Sequence, residues 1–346
     1  MLLKMNIGIL THPQETNYGG ILQCYALSTF LTKMGHDTIV IRREPNKQFF
    51  LWEWIRALLR RLHFPRYYKP NVIDRGVQIR PFVERYINRT VPIRSNSDMR
   101  KVCTKYGLKA VLVGSDQVWR TSYAMRFGYN YFLDFVPKDV IRASYAASFG
   151  LSEWNYTKDQ TNTIKKLLSR FKGISVREED AITLIKDNTG LDAIQLVDPT
   201  MLLTQEDYNK ITSPRLLSEQ YVFVYWLGEK EKVLNDVEEY RKKGYKIIEV
   251  YLRDEKEQIS VEDWLSYIKY ADLVLTDSFH GCVFSLLFNT PFRVYQNLSG
   301  GMGRIASLFK QFDIKDDFSL DYSLVRSTMN RYSAVSKDFF FKVFYN

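Results

Sequence analysis

Residues 271–293 read Ala-Asp-Leu-Val-Leu-Thr-Asp-Ser-Phe-His-Gly-Cys-Val-Phe-Ser-Leu-Leu-Phe-Asn-Thr-Pro-Phe-Arg. Leu273, Val274 and Leu275 form a short apolar run of the kind seen in strands buried on both faces. Thr276, Asp277 and Ser278 follow with side chains that cap helix amino ends. Cys282 to Phe288 is apolar enough for a core helix, and Pro291 opens the next strand. The stretch therefore reads as strand, turn, helix, strand. Such a unit brings a strand's carboxyl end and a helix's amino end to one point, where N–H groups and the helix dipole favour an anion. His280 falls at that point, and Gly281 beside it is expected to leave room for a ligand at the backbone. The alternative is a capped turn with a surface histidine.

The same alternation extends in both directions. Downstream of Gly173, strands are expected at Ile174–Arg177, Ala193–Val197, Tyr221–Leu227, Tyr245–Tyr251 and Phe292–Tyr295, with helices near 178–186, 229–242 and 260–269 between them. Upstream, strands are expected at Asn6–Leu10, Thr38–Ile41, Lys109–Val113 and Ile141–Ala147. Helices are expected at Ile21–Leu31, closed by Gly35, and at Thr157–Phe171. This is an α/β chain of two doubly wound, Rossmann-like lobes. The break at Lys172-Gly173 suggests lobes at 1–172 and 173–346, with a helical insertion at 49–106 and a C-terminal helix returning to the first lobe. Within the insertion, Leu51, Trp54, Ile55, Leu58 and Leu62 form one helical stripe, with Glu53, Arg56 and Arg60 off it. Packing on the protein itself and contact with a membrane surface both fit that stripe.

The 346 residues are 45% hydrophobic and 25% charged, the balance of a folded globular protein. A formal net charge of +10 favours acidic partners. Because the Lys and Arg residues are spread along the chain and no reader motif is present, nucleic acid is not expected among them. Cys24, Cys103 and Cys282 are far apart and odd in number, which suits a reduced, cytoplasmic protein. The opening Met-Leu-Leu-Lys-Met-Asn runs straight into a strand, so no signal peptide is expected. No run is long enough to span a bilayer, and any contact with the inner face of the cytoplasmic membrane would be peripheral.

Several further loops carry ligand chemistry. Gly19 and Gly20, ahead of the first helix, can bring backbone amides to an anion or a sugar, although a tight turn is the simpler reading. Gly114-Ser115-Asp116-Gln117 follows directly on a strand's carboxyl end, where ligands collect in α/β sheets. Asp116 there is a candidate base or a capping carboxylate. Arg177 also ends a strand, with Glu178, Glu179 and Asp180 as alternative partners. Asn297-Leu-Ser-Gly-Gly-Met-Gly-Arg304 precedes a helix whose first turn carries a cation, a place that suits Arg304 when an anion is to be held. His12, His36, His63 and His280 show no ligand spacing, so no metal is expected.

Taken in order, Asn17-Tyr-Gly-Gly-Ile-Leu-Gln-Cys-Tyr-Ala-Leu27, Val113-Gly-Ser-Asp-Gln-Val-Trp119, Ser175-Val-Arg-Glu178, Val197-Asp-Pro-Thr200, Thr276-Asp-Ser-Phe-His-Gly281 and Arg304-Ile-Ala-Ser-Leu308 resemble the polysaccharide pyruvyltransferase family. The resemblance implies a two-lobed fold like that of GT-B glycosyltransferases. It implies transfer of a pyruvyl unit from phosphoenolpyruvate to a sugar, free or in a lipid-linked oligosaccharide, as a cyclic ketal with release of phosphate and without a cofactor. The family's Arg-Leu-His triplet aligns with Ser278-Phe279-His280, so its Arg is missing here. The expected donor site is then Arg177, Ser278, His280, Gly281 and Arg304, with Arg304 replacing the missing cation. The expected acceptor side is Asn17, Tyr18, Gly19, Gly20, Ser115, Asp116 and Gln117. His280 would protonate the donor's methylene carbon as general acid, and Asp116 would be the hydroxyl's base. A glycosyltransferase using a nucleotide sugar and a non-catalytic glycan-binding relative are the rival readings.

Overall fold

The computed structural model describes residues 4–45, 58, 74–252, 258–295, 302–315 and 320–345. β1 (Asn6–Leu10), β2 (Asp37–Val40), β3 (Ala110–Val113) and β4 (Ile141–Ser144) form a parallel sheet in the order β2-β1-β3-β4. β7 (Tyr221–Trp226), β8 (Lys246–Tyr251), β9 (Leu273–Thr276) and β10 (Phe292–Val294) form a second parallel sheet in the order β10-β9-β7-β8. Every residue of β3, β7 and β9 is buried, as expected of parallel strands covered on both faces. Both sheets are doubly wound, and in each the first strand's successors lie on opposite sides of it. That reversal opens a crevice at the strands' carboxyl ends, beside β1 and β3 in one lobe and beside β7 and β9 in the other.

The expected boundary at 172/173 requires correction. Gly173 bridges Ala143, Val176 bridges Ala147, and the Arg177 amide donates to the Ala147 carbonyl at 3.1 Å. β5 (Ser175–Val176) pairs in turn with β6 (Ile194–Gln195). The first sheet's hydrogen bonding therefore runs on through β6, and Arg177 and Asp198 stand at carboxyl ends in the first lobe. Ile174, Val176, Ala181 and Ile185 share a core with Val111, Val113 and Trp119, which is why the chain does not separate at Gly173.

Two helices join the lobes. Helix Tyr18–Lys33 is buried at every position from Tyr18 to Ser28, so it lies between the lobes and not on a surface. Helix Tyr322–Tyr345 runs from the second lobe to the first. Its Phe340 stacks on Tyr145 with ring centroids 4.9 Å apart, and Ser336 meets the Tyr145 hydroxyl at 3.0 Å. Of the 49–68 stripe only Leu58 is among the described residues. The loop residues Asn297 to Gly301 also lie outside them. No described helix is long and apolar enough to cross a membrane.

Candidate active site

The turn after β9 is built by its own side chains. The Thr276 hydroxyl donates to the Tyr225 carbonyl at 2.7 Å. The Asp277 carboxylate accepts from the Leu227 and Gly228 amides at 2.7 and 2.8 Å. Ser278 caps helix Phe279–Phe288 by accepting from the Gly281 amide at 3.3 Å. That cap uses both groups expected to hold a donor. A Cβ on Gly281 would lie 2.4 Å from the Thr276 hydroxyl, so the space beside this glycine is filled by Thr276. Ser278 and Gly281 thus shape the turn, and His280 is the residue it presents to the seam between the lobes.

Facing it, Asn17 caps helix Tyr18–Lys33 by accepting from the Gly20 amide at 3.1 Å. Tyr18 is not on an acceptor surface. It is fully buried in the second lobe, its hydroxyl donating to the Ile259 carbonyl at 2.9 Å and its ring stacked on Trp264 at 5.2 Å. Ser115 is also fully buried. Its amide donates to Gln23 at 3.0 Å and its hydroxyl to the Ala146 carbonyl at 2.6 Å, which ties the ends of β3 and β4 to the interlobe helix. Gln117 is half-buried and accepts from Arg120 at 3.0 Å, and Asn17 is exposed, so these two remain within reach of a ligand.

Gly19 is one of the contacts between the lobes at the site. A Cβ placed there would fall 1.9 Å from His280 Nδ1. Gly19→Ala must therefore push the imidazole aside, although alanine suits a helix better than glycine. The expected result is at least a tenfold loss of turnover with the fold retained, read by steady-state rates beside a thermal unfolding curve. An unchanged rate would show that His280 does not need its place against this helix.

Behind the imidazole lies a buried charge cluster. Arg177 reaches Asp198 through Nη1 at 2.9 Å and Glu178 through Nε at 3.0 Å, and its Nη2 stands 3.9 Å from Asp116 Oδ1. The Arg177 guanidinium also lies 4.7 Å from the centroid of the Phe279 ring. His280 Nε2 is 3.6 Å from Asp198 Oδ2, an ion-pair distance that is too long for a hydrogen bond. All five polar residues are buried. Burial alone would raise the Asp198 carboxyl, but the His280 charge, Arg177 and the Thr200 amide outweigh it and hold Asp198 well below the ordinary carboxylate range. Burial works against Asp116 in the same way, yet the charges of His12, Arg177, His280 and Arg304 leave its carboxyl below its usual value. Arg304, half-buried in the first turn of helix Met302–Gln311, is shifted down by burial and by the neighbouring Arg177, with Asp116 and Glu178 opposing.

The structure thus brings Asp116, Arg177, His280 and Arg304 together from four separate segments. It adds Asp198 and His12, to which the sequence assigns no site role, and makes Glu178, one of the alternative partners of Arg177, an actual one. Asp198 had a signal, since Val197-Asp-Pro-Thr200 closes a strand on the ligand side, but the same residues also read as a turn. Asp116 accepts the Gln117 amide at 2.8 Å, and a carboxyl held below its usual value is a weak base for a hydroxyl proton.

A family model described as polysaccharide pyruvyl transferase matches residues 17–299. No curated protein matches the chain. Among solved structures, a Listeria monocytogenes protein provisionally described as a UDP-N-acetylglucosamine 2-epimerase aligns with a TM-score of 0.52 at 12% identity, covering 98% of this chain and 97% of its own. The UDP-GlcNAc 2-epimerase of Methanocaldococcus jannaschii aligns at 0.48 and 13% identity, over 96% of this chain and 100% of its own. A Glycyrrhiza uralensis protein, UGT73P12, aligns at 0.45 and 8% identity, over 97% of this chain and 92% of its own. The first of these likenesses concerns the two-lobed fold alone.

Proposed function

Because this chain belongs to the polysaccharide pyruvyl transferase family, we propose that it transfers a pyruvyl group from phosphoenolpyruvate to a sugar of a cell-surface oligosaccharide, closing a cyclic ketal across two hydroxyls and releasing phosphate. The observation that carries the reading is a pair of buried donors at the seam. Arg177 Nη2 and His280 Nε2 have no hydrogen-bond partner, and Arg304 stands nearby. Donor groups left unsatisfied in a buried place are costly, and an incoming anion would satisfy both.

The charge balance refines the roles. Arg177 holds Asp198 and Glu178 and keeps Nη2 toward the seam, where Arg304 and protonated His280 add positive charge, so the three share the donor's negative charge. Protonation of His280 then serves both steps, since the proton that helps hold the anion is the one delivered to the donor's methylene carbon. Arg177 orients the donor through Nη2, and Asp198 holds Arg177 and His280 in register. No cofactor is needed for this chemistry. The acceptor is proposed to be lipid-linked and met at the inner face of the cytoplasmic membrane.

The test is phosphate release from phosphoenolpyruvate in the presence of sugar acceptors. Release of a nucleoside diphosphate from a nucleotide sugar, with none of phosphate, would replace this reading with glycosyl transfer. Arg304→Ala should raise the donor KM by about 10–100-fold, the worth of one charge-assisted hydrogen bond, with little change in the acceptor KM. An unaltered donor KM would assign Arg304 to lobe packing.

A further inference from the structure

The pyruvyl-transfer reading has an acid but, once Asp116 is set aside, no base. We propose that His12 is the general base that takes the acceptor hydroxyl's proton, and that the cavity it walls receives the acceptor sugar chain. The proposal rests on the reading above.

Three observations carry it. His12 follows β1 and Asp116 follows β3, and these strands are neighbours in register, Leu10 against Val113. The histidine therefore stands at the first lobe's crevice, across the seam from His280. Its ring is held edge-on by Tyr123 at 5.1 Å and Tyr131 at 5.5 Å, so its plane is set by packing. Its Nε2 is buried and has no hydrogen-bond partner, an unsatisfied position that a sugar hydroxyl would fill.

The cavity beside it has a volume of about 660 Å³ and runs between the loop after β1, the end of β2 and helix Arg80–Tyr86. Its lining includes Gln14, Glu15, Arg42, Glu84 and Arg89. Most of the lining residues are polar or charged, with both signs present, which matches a chain of sugar hydroxyls better than a lipid tail or a nucleobase. Around the imidazole stand Asp116 from the end of β3 and the Tyr123 and Tyr131 rings, and the cavity's other charged groups come from the loop after β1, the end of β2 and residues 74–89. The Asp116 carboxylate lies close enough to the imidazole for its own carboxyl to feel the His12 charge.

The proton accounting closes with two histidines. His280 gives its proton to the donor's methylene carbon, the first acceptor oxygen bonds to the adjacent carbon, and that hydroxyl's proton passes to His12. The carbon–oxygen bond to phosphate then breaks with its electron pair on the phosphate oxygen, which takes the His12 proton. The second hydroxyl bonds to the same carbon and returns its proton to His280, so both imidazoles end as they began.

His12→Gln, assayed with phosphoenolpyruvate and a panel of p-nitrophenyl hexosides, should lower kcat by roughly 10²–10⁴-fold while the donor KM stays within a few-fold. The fall of kcat/KM at low pH, where the base is protonated, should vanish in this variant. His12→Ala with added imidazole should regain part of the rate, an outcome that a packing role cannot give. Wild-type turnover together with a variant that keeps its low-pH limb, or that loses only acceptor KM, overturns the His12 assignment alone. No phosphate release from the wild type with any acceptor overturns both this assignment and pyruvyl transfer.

Discussion

His280→Gln should lower the turnover number by roughly 10²–10⁴-fold, the usual range for removing a positioned general acid. Glutamine is chosen because the imidazole is tightly enclosed. The Gly19 backbone lies against one side and the Phe279 ring meets it edge-on at 5.1 Å, so truncation to alanine would open a void between the lobes as well as remove the proton. A side chain of similar length keeps the packing and can still donate one hydrogen bond, but it cannot deliver a proton to carbon. The loss should therefore appear in kcat and not in the donor KM. Solvent deuterium should enter the product's methyl group more slowly by the same factor, read by mass spectrometry of single-turnover samples. A variant that transfers at the wild-type rate would leave His280 as a space-filling neighbour of Gly19.

Much of this site is legible in the chain alone. The strand-to-helix junction at residues 273–280 can be read because β9 is continuously apolar and the cap residues follow it at once. What a single chain does not show is the other end of each hydrogen bond. Ser278 looks the same whether its hydroxyl meets a ligand or the Gly281 amide, and here it meets the amide. Tyr18 precedes two glycines as a binding tyrosine would, yet its ring enters the second lobe, a placement set by Trp264 more than two hundred residues away in sequence. The boundary at 172 fails for a related reason. Alternation reveals where strands are but not which sheet they join, and β5 is joined to β4 by bridges too short to leave a pattern. Arg177 reads both as an anion holder and as a partner of neighbouring acids, and the geometry lets it be both at once, because three of its edges serve different groups.

Arg177→Ala should cost about 3–5 kcal/mol of stability as well as donor binding. The cost arises less from the hydrogen bonds that Arg177 itself makes than from the acids that stay behind. Asp198, Glu178 and Asp116 would remain together in a buried site with their nearest cation gone, and like charges so placed repel strongly. Protonation would be their cheapest relief, so the pH dependence of stability should change with the mutation. In the wild type, Asp198 is depressed below its unfolded value, and its contribution is complete above the ordinary carboxylate range near pH 4 and is lost as pH falls through the depressed folded value. Without Arg177 that depression should shrink or reverse, and the variant should then gain stability relative to the wild type as the pH is lowered toward 4. Urea unfolding at neutral and mildly acid pH measures the difference directly. Arg177→Lys restores a charge but not a planar fork able to meet Asp198 and Glu178 while presenting a third edge to the donor, so it should recover much of the stability and little of the donor affinity. A lysine variant with wild-type donor KM would show that Arg177 is a purely internal ion-pair partner, and would pass the whole burden of holding the donor's charge to Arg304 and His280.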